Sequence, residues 1–233
     1  MKLGLFTDCH CSTKEVSCRT RRPSLSYDKI RRAMEALSGA DIVICLGDLM
    51  DDCERSEDNL PMLRRVSELI GEYSVPFYCM RGNHDCDMFS EEEFYSVIKA
   101  RPPFSLNAGS STLIFLNANY SSDGSAYPVR GVDWTDTALP QDQIVQLINV
   151  LSDPSVRDAY VFIHQNLDPN VQHQHILSNA AEVRKIIADS GKVRRVIQGH
   201  YHPGSDSIVD GIEYHTLPAM CEGQDNYFEI MDV

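Results

Sequence analysis

Hydrophobic positions along this chain follow two different periods. The segment Asp41–Leu46 (Asp-Ile-Val-Ile-Cys-Leu) is almost continuously apolar, which is typical of a strand covered on both faces of a sheet. In contrast, Ile144, Leu147, Ile148 and Leu151 recur at i, i+3, i+4 and i+7, so they predict one buried face of a helix. The predicted strands are Leu3–Thr7, Asp41–Leu46, Pro76–Met80, Phe104–Asn107, Thr112–Leu116, Tyr160–Ile163, Val193–Ile197, Ser207–Val209 and Ile212–Tyr214. The predicted helices are Tyr27–Leu37, Leu60–Ile70, Ser90–Lys99, Ile144–Leu151 and a segment between Asn179 and Gly191.

Several helix ends carry local signals. Ser90 with Glu93 three residues later forms a capping box, and Pro140 stands at or just before the start of a helix. Asn179 is expected to cap the helix that Gly191 ends. The early strand–helix alternation, with hairpins midway and late, predicts an α/β fold of mixed sheets with helices outside. We expect one domain covering residues 1–233.

Composition and charge narrow the class of protein. The 233 residues are 42% hydrophobic and 24% charged, which is ordinary for a globular protein, and no apolar run approaches the roughly 18–20 residues of a membrane span. The N-terminus leads directly into a predicted strand and not into a signal sequence, so a cytoplasmic location is expected. The net charge of -13 disfavours nonspecific binding to nucleic acids. The eight cysteines form no C-x-x-C pair and are expected to be reduced.

Five short polar blocks follow the predicted strands, and all of them contain Asp, Asn or His. Such side chains are ligands for divalent cations. Because the carboxyl ends of strands in an α/β sheet meet at one edge, we expect the blocks to converge on one pocket that holds two metal ions. The blocks are Asp8-Cys9-His10, Gly47-Asp48-Leu49-Met50-Asp51, Gly82-Asn83-His84-Asp85, His164, and Gly199-His200-Tyr201-His202.

The spacing within the blocks predicts their local geometry. In an extended segment Asp8 and His10 point the same way, Cys9 points away, and His200 and His202 repeat the arrangement. Gly47, Gly82 and Gly199, which precede Asp48, Asn83 and His200, are expected to permit sharp turns. Each block alone is weak evidence for a metal site. A single histidine after a strand, such as His164, is more often a core residue. The complete set of five blocks in this order favours metal binding over such structural roles. Surface or structural roles are expected for the histidines outside the blocks, His173, His175 and His215.

The ordered series D-x-H, G-D-x-x-D, G-N-H-D, a lone H and G-H-x-H resembles the calcineurin-like metallophosphoesterase superfamily, and covers the chain from Asp8 to His202. The resemblance implies a four-layer α/β/β/α sandwich of two mixed sheets. It also implies hydrolysis by a metal-bound hydroxide, with two cations of Mn, Fe or Zn. By resemblance, one cation is held by Asp8, His10, Asp48 and His202, and the other by Asp48, Asn83, His164 and His200. His84 would contact the phosphoryl group or protonate the leaving group, and Asp85 would orient His84. Asp51 would support the metal ligands without binding a cation itself.

The details of the blocks restrict the substrate. Protein phosphatases of the superfamily carry an Arg after G-D-x-x-D and end the G-N-H block in Glu; this chain has Asp52-Cys53 and Asp85 there. The segment Ile163–Asn166 looks similar to that of superfamily nucleases, but an acidic chain lacks an obvious basic groove. The block spacing is similar to that of bacterial cyclic-nucleotide phosphodiesterase-like members and manganese-dependent ADP-ribose/CDP-alcohol pyrophosphatases. A small, nucleotide-like phosphodiester or pyrophosphate is therefore expected. The alternatives are a nuclease and a catalytically silent interaction protein.

Two long irregular segments, Cys11–Ser26 and Asn117–Asp133, are of the length that is usually functional or mobile. The first contains the densest basic cluster, in which Arg21 and Arg22 are candidates for gripping an anionic substrate; a solvated loop with scattered charge is the competing interpretation. Aromatic residues in and beside the second segment are candidates for stacking on a base or sugar, with plain packing as the alternative. They are Tyr120, Tyr127 and Trp134.

Overall fold

The computed structural model describes all 233 residues. It contains ten strands, six α-helices and two short 3₁₀ turns at Ser56–Asp58 and His173–His175. The strands are β1 (Lys2–Phe6), β2 (Ile42–Cys45), β3 (Phe77–Cys79), β4 (Ser105–Ala108), β5 (Ser111–Leu116), β6 (Asp158–Ile163), β7 (Val193–Gln198), β8 (Ser205–Val209), β9 (Ile212–Thr216) and β10 (Glu229–Asp232). The helices are α1 (Pro23–Leu37), α2 (Asn59–Gly71), α3 (Asn83–Met88), α4 (Glu91–Ile98), α5 (Gln141–Ser152) and α6 (Ala180–Ser190).

The strands form two mixed sheets. The first has the order β10-β1-β2-β3, in which β1, β2 and β3 are parallel and β10 is antiparallel to β1. The second has the order β4-β5-β6-β7-β9-β8, in which the four central strands are parallel and the hairpin partners β4 and β8 are antiparallel. The two hairpins were predicted from the sequence, whereas β10 was not; this short, half-polar strand becomes recognisable only through its pairing with β1.

The fold has four layers, two sheets in the middle and helices on each outer face, and three hydrophobic clusters fill the spaces between them. One cluster, which includes Phe6 and Val43, fills the space between the first sheet and helices α1, α2 and α4. A second, with Leu5, Phe115 and Ile197, lies between the two sheets, and a third packs α5 and α6 on the outer face of the second sheet. The predicted α/β/β/α sandwich of two mixed sheets is confirmed.

The helix ends show where local signals succeed and where they fail. The Ser90 hydroxyl accepts a hydrogen bond from the Glu93 N–H at 3.1 Å, as a capping residue should. Asn179 precedes α6 but does not cap it with its side chain; its amide instead pairs with both the N–H and the carbonyl of Leu139. Helix α1 begins at Pro23, four residues earlier than predicted, and α3 was not predicted because its sequence is the third polar block.

All eight cysteines are free thiols, and seven of them are buried, with Cys18 the exposed exception. Cys9 packs in the core against Met220, so its side chain points away from the polar blocks as expected. No helix combines the length and the apolar character that crossing a membrane requires.

Candidate metal centre

The five polar blocks meet where the carboxyl ends of β1, β2, β3, β6 and β7 face one another. The first two blocks are joined by backbone hydrogen bonds, from the Asp8 N–H to the Gly47 carbonyl at 3.0 Å and from the His10 N–H to the Asp48 carbonyl at 2.9 Å. The two sheets are joined at the same place, since the His200 N–H donates to the Asp8 carboxylate at 2.9 Å. The predicted convergence of the blocks is what the structure shows.

Four candidate ligands have a left-handed backbone, so the extended geometry predicted for Asp8 to His10 and for His200 to His202 is wrong. Strand β1 ends at Phe6, and φ is 51° at Asp8, 46° at His10, 49° at Asp48 and 66° at His200. Residues other than glycine rarely adopt this conformation, and they tend to do so at functional sites, where the surrounding structure stabilises it. Strain is thus concentrated on the candidate ligands.

Of the three block glycines, Gly47 has a φ of 116°, as a sharp turn requires, whereas Gly82 and Gly199 serve close approach and not turning. A Cβ atom at Gly82 would overlap the Asp48 carboxylate, and one at Gly199 would overlap the Thr7 hydroxyl and lie 2.8 Å from Asp8 Oδ2. Neither glycine has a positive φ. Both are therefore needed because a carboxylate of the centre lies against their backbone.

The first predicted ligand set surrounds one point. His10 Nε2 lies 3.2 Å from His202 Nε2, 3.5 Å from Asp48 Oδ2 and 3.7 Å from Asp8 Oδ1. His202 Nε2 is in turn 3.5 Å from Asp8 Oδ1. The four side chains come from three different blocks, and their donor atoms face each other as ligands of a common cation would.

The second predicted set lies beside the first and shares Asp48 with it. His164 Nε2 is 3.4 Å from Asp48 Oδ2 and 3.3 Å from Asn83 Oδ1. Donor atoms of Asp48, His164 and His200 all lie within 4.8 Å of one another. Asp48 Oδ2 is therefore within 3.5 Å of an imidazole of each set, the position of a bridging carboxylate.

The chemistry of these residues fits divalent cations. Asp8 Oδ1 and His200 Nε2 are buried and have no hydrogen-bond partner within the protein, which is costly for a polar atom that no ligand satisfies. The mixed nitrogen and oxygen donors suit Mn, Fe or Zn. Asp8, His10, Asp48, Asn83, His164, His200 and His202 are the candidate ligands, and each is at least partly buried.

The electrostatics place most of these groups in the state that binds metal. Burial opposes the charge of Asp48, but the imidazole of His164 outweighs it and holds the pKa of that carboxyl below its usual range. Burial lowers the pKa of His200 well below its ordinary value, so its imidazole is a neutral nitrogen donor. Burial likewise opposes protonation of His164, yet Asp48 raises its pKa to about 9. The centre therefore attracts positive charge.

Residue His84 lies at the edge of the centre, next to Asp51 and not Asp85. Its Nδ1 is 3.3 Å from Asp51 Oδ1, and its backbone N–H donates to Asp48 Oδ1 at 2.8 Å. The Asp85 carboxylate accepts hydrogen bonds from the backbone N–H groups of Leu49, Met50 and Gly82. The expectation that Asp85 orients His84 is wrong. Asp85 instead holds the backbone on either side of the centre, and Asp51 takes the orienting position.

The two arginines of the first long loop have different positions. Arg21 Nη1 is 3.4 Å from His84 Nε2 and 4.0 Å from Asp51 Oδ2, so its guanidinium reaches the centre. Arg22 Nη1 donates to the carbonyls of Arg19 and Arg21 at 3.1 Å and turns back on its own loop. Of the predicted pair, only Arg21 lies in a position to contact a substrate.

A cavity of about 580 Å³ opens over the centre, and two unlike groups of side chains line it. Arg21 and His84 form one group, and Trp134, His175 and Tyr201 form the other, together with Gln172 and Gln174. The ring of His175 is 5.1 Å from that of Trp134, 5.2 Å from Tyr201 and 5.0 Å from the candidate ligand His200. We name the group Trp134, His175 and Tyr201 the ring wall.

The ring wall changes two expectations from the sequence. His175 was expected to be a surface or structural residue; it lines the cavity, and no block pattern marked it. Of the candidate stacking residues only Trp134 lies here, since Tyr120 lines a different cavity and the Tyr127 hydroxyl donates to the Asp136 carbonyl. His173 and His215 do not line the cavity.

Glu222 is a residue of the centre that the sequence did not reveal. Its Oε1 is 2.6 Å from His202 Nδ1, and this hydrogen bond lowers the pKa of Glu222 to about 2. Glu222 lies in a C-terminal segment without any motif. At metal sites a binding histidine commonly donates its other ring N–H to a carboxylate. Here only the folded chain brings Glu222 and His202 together.

Comparison with known proteins gives consistent results. The family model described as calcineurin-like phosphoesterase matches residues 1–204. The chain is 27% identical over 184 residues to a 3′,5′-cyclic adenosine monophosphate phosphodiesterase of Haemophilus influenzae; the match covers 78% of this chain and 61% of that protein. Among solved structures, a dimetal phosphatase from Danio rerio superposes with a TM-score of 0.86 at 20% identity, covering 98% of this chain and 91% of the other. A purple acid phosphatase from yellow lupin seeds has a TM-score of 0.62 at 12% identity, covering 100% of this chain and 46% of the other.

Proposed function

The chain belongs to the calcineurin-like phosphoesterase family and is a metal-dependent phosphoester hydrolase, and from this premise we propose that it cleaves a small, nucleotide-like phosphodiester or pyrophosphate at a centre of two cations. One observation carries the proposal. Asp48 Oδ2 lies 3.5 Å from His10 Nε2 and 3.4 Å from His164 Nε2, between the two sets of candidate ligands. Bridging by one carboxylate is how a protein holds two cations close together.

The candidate ligands divide into two groups around Asp48. Asp8, His10 and His202 would complete the first site, and Asn83, His164 and His200 the second. When bound, two such cations supply Lewis acidity that activates water and neutralises charge on the phosphoryl oxygens. Mn, Fe and Zn all suit this set of donors.

The protein's own contribution begins with proton transfer by His84. Burial lowers the pKa of its imidazole, but Asp48 and Asp51 outweigh burial, and the resulting pKa is raised. An imidazolium at the edge of the cavity can donate a proton to the departing oxygen, and a poor leaving group such as an alkoxide needs that proton. Asp51 holds the ring through Nδ1, which leaves Nε2 on the side of Arg21.

The two groups of residues that line the cavity support the choice of substrate. Arg21 offers a planar, permanently charged guanidinium for an anionic oxygen, and the ring wall offers flat surfaces for a base or another ring. A volume of about 580 Å³ is in the range of small-molecule sites. These features favour a substrate that joins a phosphoryl group to a ring, as nucleotides do. The similarity to a cyclic-nucleotide phosphodiesterase supports this class, although the chain spans only 61% of that relative.

The two alternatives receive less support. A nuclease would need a basic surface along its substrate, and this chain carries a net charge of -13. A catalytically silent member of the family would not need a complete set of ligands around Asp48, and the candidate ligands of both cations that lie around Asp48 favour an active enzyme.

The direct test is a substrate panel with added Mn²⁺, Fe²⁺ or Zn²⁺. Bis-p-nitrophenyl phosphate, p-nitrophenyl phosphate, cyclic AMP and ADP-ribose separate diester, monoester, cyclic diester and pyrophosphate activity. Asp48→Asn should lose bound metal and about 10³-fold in kcat/KM. The matched control is Asp52→Asn, because that carboxylate bonds to Asn59 and Arg130 outside the centre.

Either of two results would contradict the proposal. Hydrolysis that persists in a chelator would contradict the two-cation centre. A strong preference for the monoester over the diester would contradict the substrate class while leaving the family and the fold unaffected.

A further inference from the structure

Glu222 and His202 form a contact that is short and directional. Glu222 Oε1 is 2.6 Å from His202 Nδ1, while His202 Nε2 faces His10 Nε2 at 3.2 Å and Asp8 Oδ1 at 3.5 Å. We propose that Glu222 is a positioning residue for one of the two cations, acting through His202. The inference rests on the proposed function only in that this function requires cations at the centre.

The chemistry of the pair fixes the tautomer of the imidazole. An ionised carboxylate can only accept a hydrogen bond, so a His202 that binds a cation keeps its proton on Nδ1 and offers the lone pair of Nε2 to the cation. That lone pair is on the side of Asp8 and His10. Cys221 Sγ, at 3.7 Å from the same Nδ1, is farther away and a weaker acceptor.

The segment that carries Glu222 is fastened beside the first block. The Met220 N–H donates to the Thr7 carbonyl and the Cys221 N–H to the Asp8 carbonyl, each at 3.0 Å. The backbone that precedes Glu222 thus runs along the end of β1, next to Asp8. A partner held in this way fixes the imidazole ring more firmly than a free surface carboxylate would.

A buried lysine completes the support. Lys29 of α1 is fully buried, and its Nζ donates to the carbonyls of Met220 at 2.7 Å, Gly223 at 3.1 Å and Glu222 at 3.2 Å. An ammonium group has three donors, and here all three are directed at this one segment. The buried charge therefore serves to order the backbone on both sides of Glu222, which belongs to no helix or strand and has only an isolated antiparallel bridge to Arg21.

Equilibrium binding of Co²⁺ and Mn²⁺ to the metal-free full-length protein tests the proposal, by titration calorimetry and, for Co²⁺, by visible absorption. Glu222→Ala should weaken one of the two binding events by about 10- to 100-fold, leave the other near its wild-type affinity and change the Co²⁺ bands. Glu222→Gln keeps a carbonyl acceptor and should be intermediate. The matched control, Asp225→Asn, removes an equal charge from an exposed side chain in the same segment and should bind both ions as the wild type does.

The outcomes separate this inference from the proposed function. If Glu222→Ala binds both ions with wild-type affinity and spectrum, or weakens both equally, the positioning role is wrong. If Asp225→Asn reproduces the loss, charge and not the hydrogen bond is responsible, and the role is again wrong. If the wild type binds two ions, Glu222→Ala shows the one-site loss and no phosphodiester or pyrophosphate is hydrolysed, the proposed function fails and the positioning role stands.

Discussion

His84 Nδ1 lies 3.3 Å from Asp51 Oδ1, although Asp85 is the neighbour of His84 in the chain. Asp51 also has its Oδ2 at 3.7 Å from His10 Nδ1, so one carboxylate contacts both a candidate ligand and the candidate proton donor. Asp85 is buried beneath them and bonds only to backbone N–H groups. Asp51 and Asp85 therefore have different roles, and substituting each residue separately can distinguish them.

Asp51→Asn should lower kcat about 100-fold for substrates with alcohol leaving groups and far less for those that release p-nitrophenolate. The reason is that a good leaving group departs without a proton, so it does not need His84 or the residue that orients it. Kinetics on a paired set of diesters measure this ratio. Asp85→Asn is the comparison: it should lower the melting temperature and the activity towards both leaving groups alike, because an amide nitrogen replaces one of the two carboxylate oxygens that accept from three backbone N–H groups. Equal effects of Asp51→Asn on both leaving groups would contradict the assignment.

Arg21→Ala should raise KM about 10-fold or more, because a charge-assisted hydrogen bond to an anionic oxygen contributes roughly 1.5–3 kcal/mol. Metal content should stay at the wild-type level, since Arg21 contacts His84 and Asp51 and no candidate ligand. Arg22→Ala is the control from the adjacent position, and its KM should not change. Steady-state kinetics with metal analysis decide the matter; identical KM values for the two variants would refute a substrate contact by Arg21.

Trp134→Ala should raise KM for cyclic AMP by about 10-fold, since stacking of a base on an aromatic side chain contributes roughly 1–3 kcal/mol. A diester without a ring, such as glycerophosphocholine, should be hydrolysed with little change in KM. Tyr127→Phe provides the control, because Tyr127 is an aromatic residue that donates a hydrogen bond to the Asp136 carbonyl and does not line the cavity. A parallel loss for substrates with and without a ring would mean that Trp134 only packs the loop.

His215 predicts a pH-dependent part of the stability. Its Nδ1 is 2.6 Å from Asp206 on β8 and its Nε2 is 3.0 Å from Glu229 on β10, so the ring ties the edges of the two sheets together. The hydrogen bond that His215 donates to Glu229, aided by Asp206, raises the pKa of His215 above its usual 6.5. A raised folded-state pKa means that the stabilisation is complete below the unfolded pKa and is lost as pH rises through the folded one.

Denaturant unfolding of wild type and His215→Gln should therefore differ most at about pH 6 and converge towards about pH 9, with a difference on the order of 1 kcal/mol. Arg195 and Asp232 line the same cleft as His215. Both residues are present in the wild type and in the variant, so their contributions to the free energy of unfolding cancel in the comparison. His173→Gln, at an exposed histidine, should follow the wild type. A constant difference across this range would show that the two contacts do not depend on protonation of His215.

Much of the fold could be predicted because its signals are local. Continuous apolar runs mark strands such as β2 and β6, and a helical period marks α5, because burial on two faces or on one face leaves a repeat in the sequence. Strand β10 and helix α3 leave no such repeat. The first is short and half exposed, and the second is formed by polar residues that serve the centre.

The sequence by itself determined which polar blocks come together at the candidate metal centre, because each block directly follows a strand whose burial dictates its residues. Only the tertiary structure decided how the side chains are paired: Asp51 with His84, Arg21 rather than Arg22 at the cavity, and Glu222 behind His202. It also decided the left-handed backbone at Asp8, His10, Asp48 and His200. The physical reason is that these features depend on contacts between segments far apart in the chain. Such contacts form when loops that follow neighbouring strands, and loops of the two sheets, meet in the folded chain, and no local period in the sequence encodes them.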